Sequence, residues 1–277
     1  MPVLNMNGVN VNYEVAGEGK AVVFLHGYTG SSQDWSNQMS ALSPIYKMIA
    51  VDLRGHGKSS APSVEKEYSI EIFVEDVHSI LNHLHIKKCC LVGHSLGGFL
   101  ALEFALKYSE LLAGLVLVDT SSGDWEKPAG YAELRAKLEE LARTQGMEAA
   151  FEYDAANNPV RIERFKRHPD LRKTSRQKML MTSVDGYIYT ARAMGQWKSV
   201  TGRLSEIDVP VCIFWGEEDT PFLQASRILK ERIPGAELIT VKGSGHSPHE
   251  ESPQAFNEKL GSFLGRALAE GRSIKDL

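Results

Sequence analysis

Three side chains of the 277-residue chain stand in settings where they could do covalent chemistry together: Ser95, Asp219 and His246. Ser95 is the centre of Gly93-His94-Ser95-Leu96-Gly97-Gly98. Before it, Cys89-Cys90-Leu91-Val92 is short and apolar and reads as a buried strand; after it, Phe99 to Leu106 holds strong helix formers. Gly-x-Ser-x-Gly between a strand and a helix is the nucleophile-elbow pattern, a tight, strained turn that lifts the hydroxyl clear of the sheet. Its glycines let backbone meet backbone, and the helix N-terminus behind the serine favours developing negative charge. A plain glycine-rich turn with a surface serine has the same spacing. It would not call for a base, an orienting acid and an oxyanion site elsewhere in the chain.

A serine hydroxyl is a poor nucleophile without an adjacent base. Of the nine histidines, His246 is best placed, in the loop Lys242-Gly243-Ser244-Gly245-His246 after the last strand-like run. Open α/β sheets put their ligands at such strand ends. His94 is the variable residue of the elbow and is expected to point elsewhere. His26 is expected to brace a loop, His56 to make turn hydrogen bonds and His78 to face solvent. His83 and His85, two apart, would face different sides of their helix. His246 and His249 have a metal-ligand spacing, but no further ligands stand nearby, so no metal is read. The acid must fix the histidine tautomer. Asp219, in Gly216-Glu217-Glu218-Asp219-Thr220-Pro221, is preferred to its rival Asp119 because it gives the chain order Ser–acid–His. Glu217 and Glu218 read as solvated. Asp119 leads into a linker and is expected to accept backbone N–H groups there and hold a hinge. The oxyanion donors are read as the backbone N–H groups of Leu96 and of Tyr28, which follows His26-Gly27.

These residues need a scaffold, and the chain alternates strand-like and helix-like segments. An Asn7-Gly8 hairpin opens it, with strand-like runs at 21–25, 47–53, 114–119, 209–215 and 237–241. Helical spacing marks 69–85, 222–232 and 252–268, and a helix capped by Ser31 or Ser32 is expected to reach about Leu42. This alternation predicts a mostly parallel sheet covered on both faces. Residues 121–204 are charged and helical, with Pro159 and Pro169 where helices could begin, and read as a cap inserted into a core of 1–120 and 205–277. Trp125, Tyr131, Phe151, Tyr153, Tyr187, Tyr189, Met194 and Trp197 are candidate pocket walls, most of them expected in the cap's own core. The basic run Arg161, Arg164, Lys166, Arg167 reads as a solvated face rather than a carboxylate anchor.

The chain resembles the α/β-hydrolase superfamily, in its small, capped, bacterial-esterase-like form. The resemblance runs from about Val9 to Leu268, and is weak through the cap. It is carried by His26-Gly27, the loop Asp52-Leu53-Arg54-Gly55-His56-Gly57-Lys58-Ser59, the elbow, Gly216-Glu217-Glu218-Asp219, and the stretch Gly245-His246-Ser247-Pro248-His249-Glu250-Glu251-Ser252-Pro253. It implies a central sheet with helices on both faces, a helical cap and a serine triad, with the Asp52–Ser59 loop structural. Ser95 stands where haloalkane dehalogenases and epoxide hydrolases carry aspartate. Carbon–carbon-bond hydrolases often carry asparagine at the position of His94.

The expected activity is hydrolysis of an ester, lactone or related acyl compound through an acyl-enzyme, with no cofactor and no metal. Carbon–carbon hydrolysis or enol-lactone cleavage by the same triad is the alternative. A slow-turnover ligand receptor on the same fold is a reading of another class. A net charge of −4 without a basic stripe gives no nucleic-acid footprint. Cys89, Cys90 and Cys212 fall in apolar runs and read as buried small hydrophobes in a reducing compartment. No secretory pattern opens the chain and no apolar run approaches membrane-spanning length, so a soluble, cytoplasmic protein without a membrane partner is expected. A homo-oligomer is left open.

Overall fold

Eight strand runs pair into one sheet in the computed structural model, which describes residues 2–6, 8–123, 127 and 129–269. The strands are β1 (Val3–Met6), β2 (Val9–Ala16), β3 (Ala21–Leu25), β4 (Lys47–Val51), β5 (Cys89–His94), β6 (Leu112–Val118), β7 (Val211–Gly216) and β8 (Glu237–Val241), in the order β1-β2-β4-β3-β5-β6-β7-β8. β1 and β2 run antiparallel and the rest of the sheet is parallel. The expected opening hairpin is present, with Gly8 at φ 91°; Asn7 lies outside the described residues.

The middle strands are buried on both faces because helices cover both. Val23, Leu25, Ile49, Val51 and Leu91 pack in one cluster with α2 (Ile70–His83) and α3 (Leu96–Lys107); Val22, Phe24, Met48, Ala50, Cys90 and Val92 pack in another with α1 (Ser36–Leu42) and α11 (Pro253–Ala267). Neighbouring residues thus face opposite layers, as the period of two requires. Ser31 caps a 3₁₀ turn at Ser32–Trp35 that leads into α1. All three cysteines are buried and free.

Between β6 and β7 lie α4 (Tyr131–Gln145), α5 (Met147–Asn157), α6 (Pro159–Arg167), α7 (Asp170–Leu180) and α8 (Val184–Gln196). Leu138, Leu141, Met147, Phe151, Met179, Tyr187 and Ile188 form a cluster of their own among these helices. α9 (Thr220–Arg232) and the short α10 (Pro248–Glu251) complete the chain. Among the described residues, no helix is long and apolar enough to cross a membrane.

The strand order reverses at β3, which pairs β4 on one side and β5 on the other. At such a switch point the loops leaving neighbouring strands diverge and open a crevice at the strand C-termini. Here those loops carry Tyr28 and Ser95. The glycines of the elbow are a packing requirement. A Cβ on Gly97 would lie 2.2 Å from the Leu25 carbonyl oxygen, and one on Gly93 would lie 2.2 Å from the Gly97 carbonyl oxygen. Both obstacles are backbone and cannot rotate away. Gly97→Ala should therefore destabilise the protein by about 2 kcal/mol or more, as overpacking against fixed backbone does. An unchanged urea midpoint would show that the elbow tolerates the extra carbon.

Candidate active site

Ser95 is the N-terminal flank of α3, at φ 51° and ψ −114°. A positive φ is costly for a residue with a Cβ and persists only where surroundings enforce it. The Ser95 N–H donates to the Val118 carbonyl at 2.9 Å, and the Thr120 hydroxyl donates to the Ser95 carbonyl at 2.7 Å. Its backbone is thus tied to the end of β6, leaving the side chain to project over the strand ends.

His246 Nε2 lies 3.1 Å from Ser95 Oγ, and its Nδ1 lies 2.7 Å from Asp219 Oδ2. With Nδ1–H donating to the carboxylate, Nε2 is left as the acceptor of the serine proton. This is the tautomer that general-base catalysis needs. The Asp219 side chain is 2% exposed and that of His246 22%. All three expected residues are brought together from the ends of β5, β7 and β8. The acid and histidine loops interlock: Glu218 N–H donates to the Ser244 carbonyl at 2.9 Å, and a Cβ on Gly216 would lie 2.0 Å from the Gly245 carbonyl oxygen. A buried carboxylate, Glu251, receives the Gly245 N–H at 2.6 Å and the Ser247 N–H at 3.3 Å, gripping the histidine loop from both sides. Glu217 and Glu218 are exposed.

Leu96 is the first residue of α3, so its N–H has no intrahelical acceptor. The His26–Tyr28 loop passes against the elbow: a Cβ on Gly27 would lie 3.3 Å from Ser95 Cβ. Among the described residues neither the Leu96 nor the Tyr28 N–H has a protein acceptor, which leaves both available to an oxyanion. His26 braces this loop, with Nδ1 2.7 Å from the Gly27 carbonyl and Nε2 accepting the Leu53 N–H at 3.0 Å. His56 lies against the Arg54 carbonyl at 3.1 Å, and burial pushes its imidazole down to about 3.

His94 does not point away from the site. Its Nε2–H donates to the His246 carbonyl at 2.7 Å and so helps hold the histidine loop. Burial first, then the neighbouring His249 and His246, keep it well below the usual imidazole range, hence neutral. Asp34, His94 and His249 offer ligand atoms within 4.8 Å of one another. The Lys178 ammonium, 2.8 Å from Asp34 Oδ1, already supplies the positive charge there, so the group does not fit a divalent cation. His78 is half-buried, stacked on Tyr108 at 4.1 Å rather than facing solvent.

Asp119 accepts a backbone N–H, as expected, but from β7. It is fully buried, and its carboxyl receives the Gly216 N–H at 3.0 Å, tying β6 to the end of β7 rather than to the linker. Burial first, and the charge of Asp219 second, hold this carboxyl well above the usual range.

Over these loops lies a cavity of about 210 Å³ whose lining includes Ser95, His246, Tyr28 and Phe99. Of the candidate wall residues, Tyr131, Tyr187 and Met194 line it, while Phe151 packs among the helices and Trp197 stacks on Phe99 at 4.4 Å. Trp125 lies outside the described residues. The basic run is not simply a solvated face: Arg161 and Arg164 line the cavity, with Arg135 of α4 and Lys178 of α7. Only Lys166 and Arg167 are exposed. Sequence reasoning passed over Arg135 and Lys178, since one cation in a charged helix carries no local sign of which way it faces.

A family model described as "alpha/beta hydrolase fold" matches residues 20–253. A Bacillus subtilis protein described as a putative 2-succinyl-6-hydroxy-2,4-cyclohexadiene-1-carboxylate synthase is 34% identical over 92% of this chain and 95% of its own. Among solved structures, an enol-lactonase from Burkholderia xenovorans is similar at 25% identity and TM-score 0.84, over 95% of this chain and 100% of that one. An esterase from Thermogutta terrifontis is similar at 25% identity and TM-score 0.84, over 96% of this chain and 97% of its own.

The two aspartates make opposite predictions. Asn at position 219 would favour the wrong histidine tautomer, so Asp219→Asn should lower kcat about 10⁴-fold. Asp119 binds its proton more tightly folded than unfolded. Its contribution to stability is therefore full below the unfolded carboxyl value of about 4 and is lost as pH rises towards the folded value. Asp119→Asn should remove that fall, raising the melting temperature at neutral relative to acidic pH, with a much smaller change in kcat. A larger kcat loss from Asp119→Asn would reassign the acid.

Proposed function

The chain belongs to the alpha/beta-hydrolase fold family, and within it we propose a serine hydrolase that cleaves an ester, lactone or related acyl substrate. The observation that carries this reading is the continuous contact Asp219–His246–Ser95, at 2.7 and 3.1 Å. Ser95 Oγ attacks the carbonyl carbon while His246 Nε2 takes its proton. The imidazolium is stabilised by Asp219, and the oxyanion by the N–H groups of Leu96 and Tyr28. His246 then protonates the leaving group, whose departure gives the acyl-enzyme. Water, deprotonated by His246, releases the acid and restores Ser95. In this account residues 121–204 act as a cap that closes the substrate cavity from above.

A second reading is favoured by the name of the Bacillus subtilis relative. There the same three side chains would serve a cyclohexadiene-carboxylate synthase rather than a hydrolase. Turnover of simple esters separates the two. Under the hydrolase reading, p-nitrophenyl esters are hydrolysed and Ser95→Ala loses about 10³-fold or more of that rate with the fold intact. A fluorophosphonate probe should add once, at Ser95; labelling that survives Ser95→Ala would overturn the nucleophile.

A further inference from the structure

Four cationic side chains line the cavity above Ser95, and three are matched by carboxylates. Arg161 faces Asp154 at 3.1 Å, Arg164 faces Glu250 at 2.6 Å and Glu251 at 3.3 Å, and Lys178 faces Asp34 at 2.8 Å and Glu250 at 2.5 Å. Arg135 is the exception: among the described residues no carboxylate lies within ion-pair distance of it. Its Nη1 donates to the Tyr187 hydroxyl at 3.1 Å and its Nη2 to the Tyr28 hydroxyl at 2.8 Å. The guanidinium carbon lies 4.9 Å and 5.0 Å from the centres of those two rings, which stack on each other at 5.1 Å.

This cradle orients the guanidinium without neutralising it. Burial pushes both phenols above their ordinary value, so they stay uncharged and act as dipoles only. A guanidinium remains charged at any ordinary pH. Arg135 is half-buried, and a partly desolvated charge without a counter-ion, set in a cavity wall, is well placed to receive one from a ligand. Arg135 has five N–H groups, of which the two phenols take two, so the fork retains donors for a bidentate contact. It also lines the adjoining cavity shared with Tyr28, Phe99 and Met194, where the two spaces meet. One planar cation matches one planar monoanion. A phosphate dianion would need a second unpaired cation, and the other three already have carboxylates.

We infer that Arg135 anchors a carboxylate of the substrate, so that this enzyme's acyl compounds carry a single negative charge remote from the scissile carbonyl. The inference rests on the hydrolase reading above for its substrate class, but the anchor itself can be read by binding alone. Tyr28 joins the two ends of the site, with its backbone N–H at the oxyanion position and its hydroxyl on Arg135. The anchor thus fixes the substrate relative to the oxyanion hole, and its loss should fall chiefly on KM.

The test compares matched pairs differing in one carboxylate: mono-p-nitrophenyl glutarate against p-nitrophenyl valerate, and 4-acetoxybenzoate against its methyl ester. The wild-type enzyme should prefer the charged member of at least one pair in kcat/KM. Arg135→Met should lower that preference about 10- to 100-fold, the range for a charge-assisted hydrogen-bonded pair. Arg135→Lys should recover part of it, and added salt should weaken it. The ratio within each pair cancels any general damage to the enzyme. A preference unchanged by Arg135→Met, or none in the wild type, would overturn the anchor. If no ester is turned over, the hydrolase reading fails, and calorimetry with monoethyl glutarate decides the anchor separately. Binding that Arg135→Met abolishes supports it, and absent binding or equal binding by both proteins overturns it.

Discussion

Ser95 is held at a positive φ between two glycines that no side chain could replace, and the rest of the site is arranged around that strained turn. The strain persists because the chain is pinned on both sides. The Ser95 N–H is tied to β6, and the turn after it presses against the end of β3. In the proposed reaction, holding the hydroxyl in this way would remove the need to order it, which is where much of a positioned nucleophile's advantage arises. It also leaves the first N–H of α3 without a helical acceptor, beside the position where oxyanion charge would develop.

His246 has a different kind of support. Its ring is fixed by Asp219, but its loop is fixed by Glu251, His94 and the backbone of the acid loop. Glu250 and Glu251 are in turn clamped by Arg164 and Lys178 from the helices above. Burial works to raise the Glu250 carboxyl, yet these two cations hold it well below the ordinary carboxylate range. The contact between helices and histidine loop is therefore ionic and largely buried. Removing one partner would leave the other charged and unsatisfied, which costs far more than the loss of an exposed pair. A second tie runs through the Tyr28 hydroxyl, which donates to the Tyr187 carbonyl at 2.6 Å and links the oxyanion loop to α8.

The sheet was legible in the sequence because its strands are short apolar runs punctuated by glycine, proline or aspartate, and such runs have few other stable uses. The elbow and the histidine loop were legible because their glycines are required by backbone contacts within a few residues. The sites that were misread depend on long-range packing. His94 turns back onto the His246 carbonyl, and His246 is distant in sequence. Asp119 and Asp219 follow similar strands, and contacts distant in sequence separate them: Asp219 reaches His246, while the Asp119 carboxyl accepts the Gly216 N–H of β7 rather than a linker N–H. The cations of the cavity were the least legible. A helix such as α4, with Glu, Lys and Arg throughout, shows the same texture whether an arginine faces water or a substrate.

The central claim is that Ser95 forms a covalent acyl intermediate which water then resolves. The most direct measurement is partitioning between water and added methanol, using one acyl group on several leaving groups such as p-nitrophenol, phenol and ethanol. A common acyl-enzyme has lost its leaving group before the partition, so the ratio of methyl ester to acid should be the same for all three. A ratio that changes with the leaving group would mean that the nucleophile meets the substrate before the leaving group departs. The covalent role of Ser95 would then be contradicted.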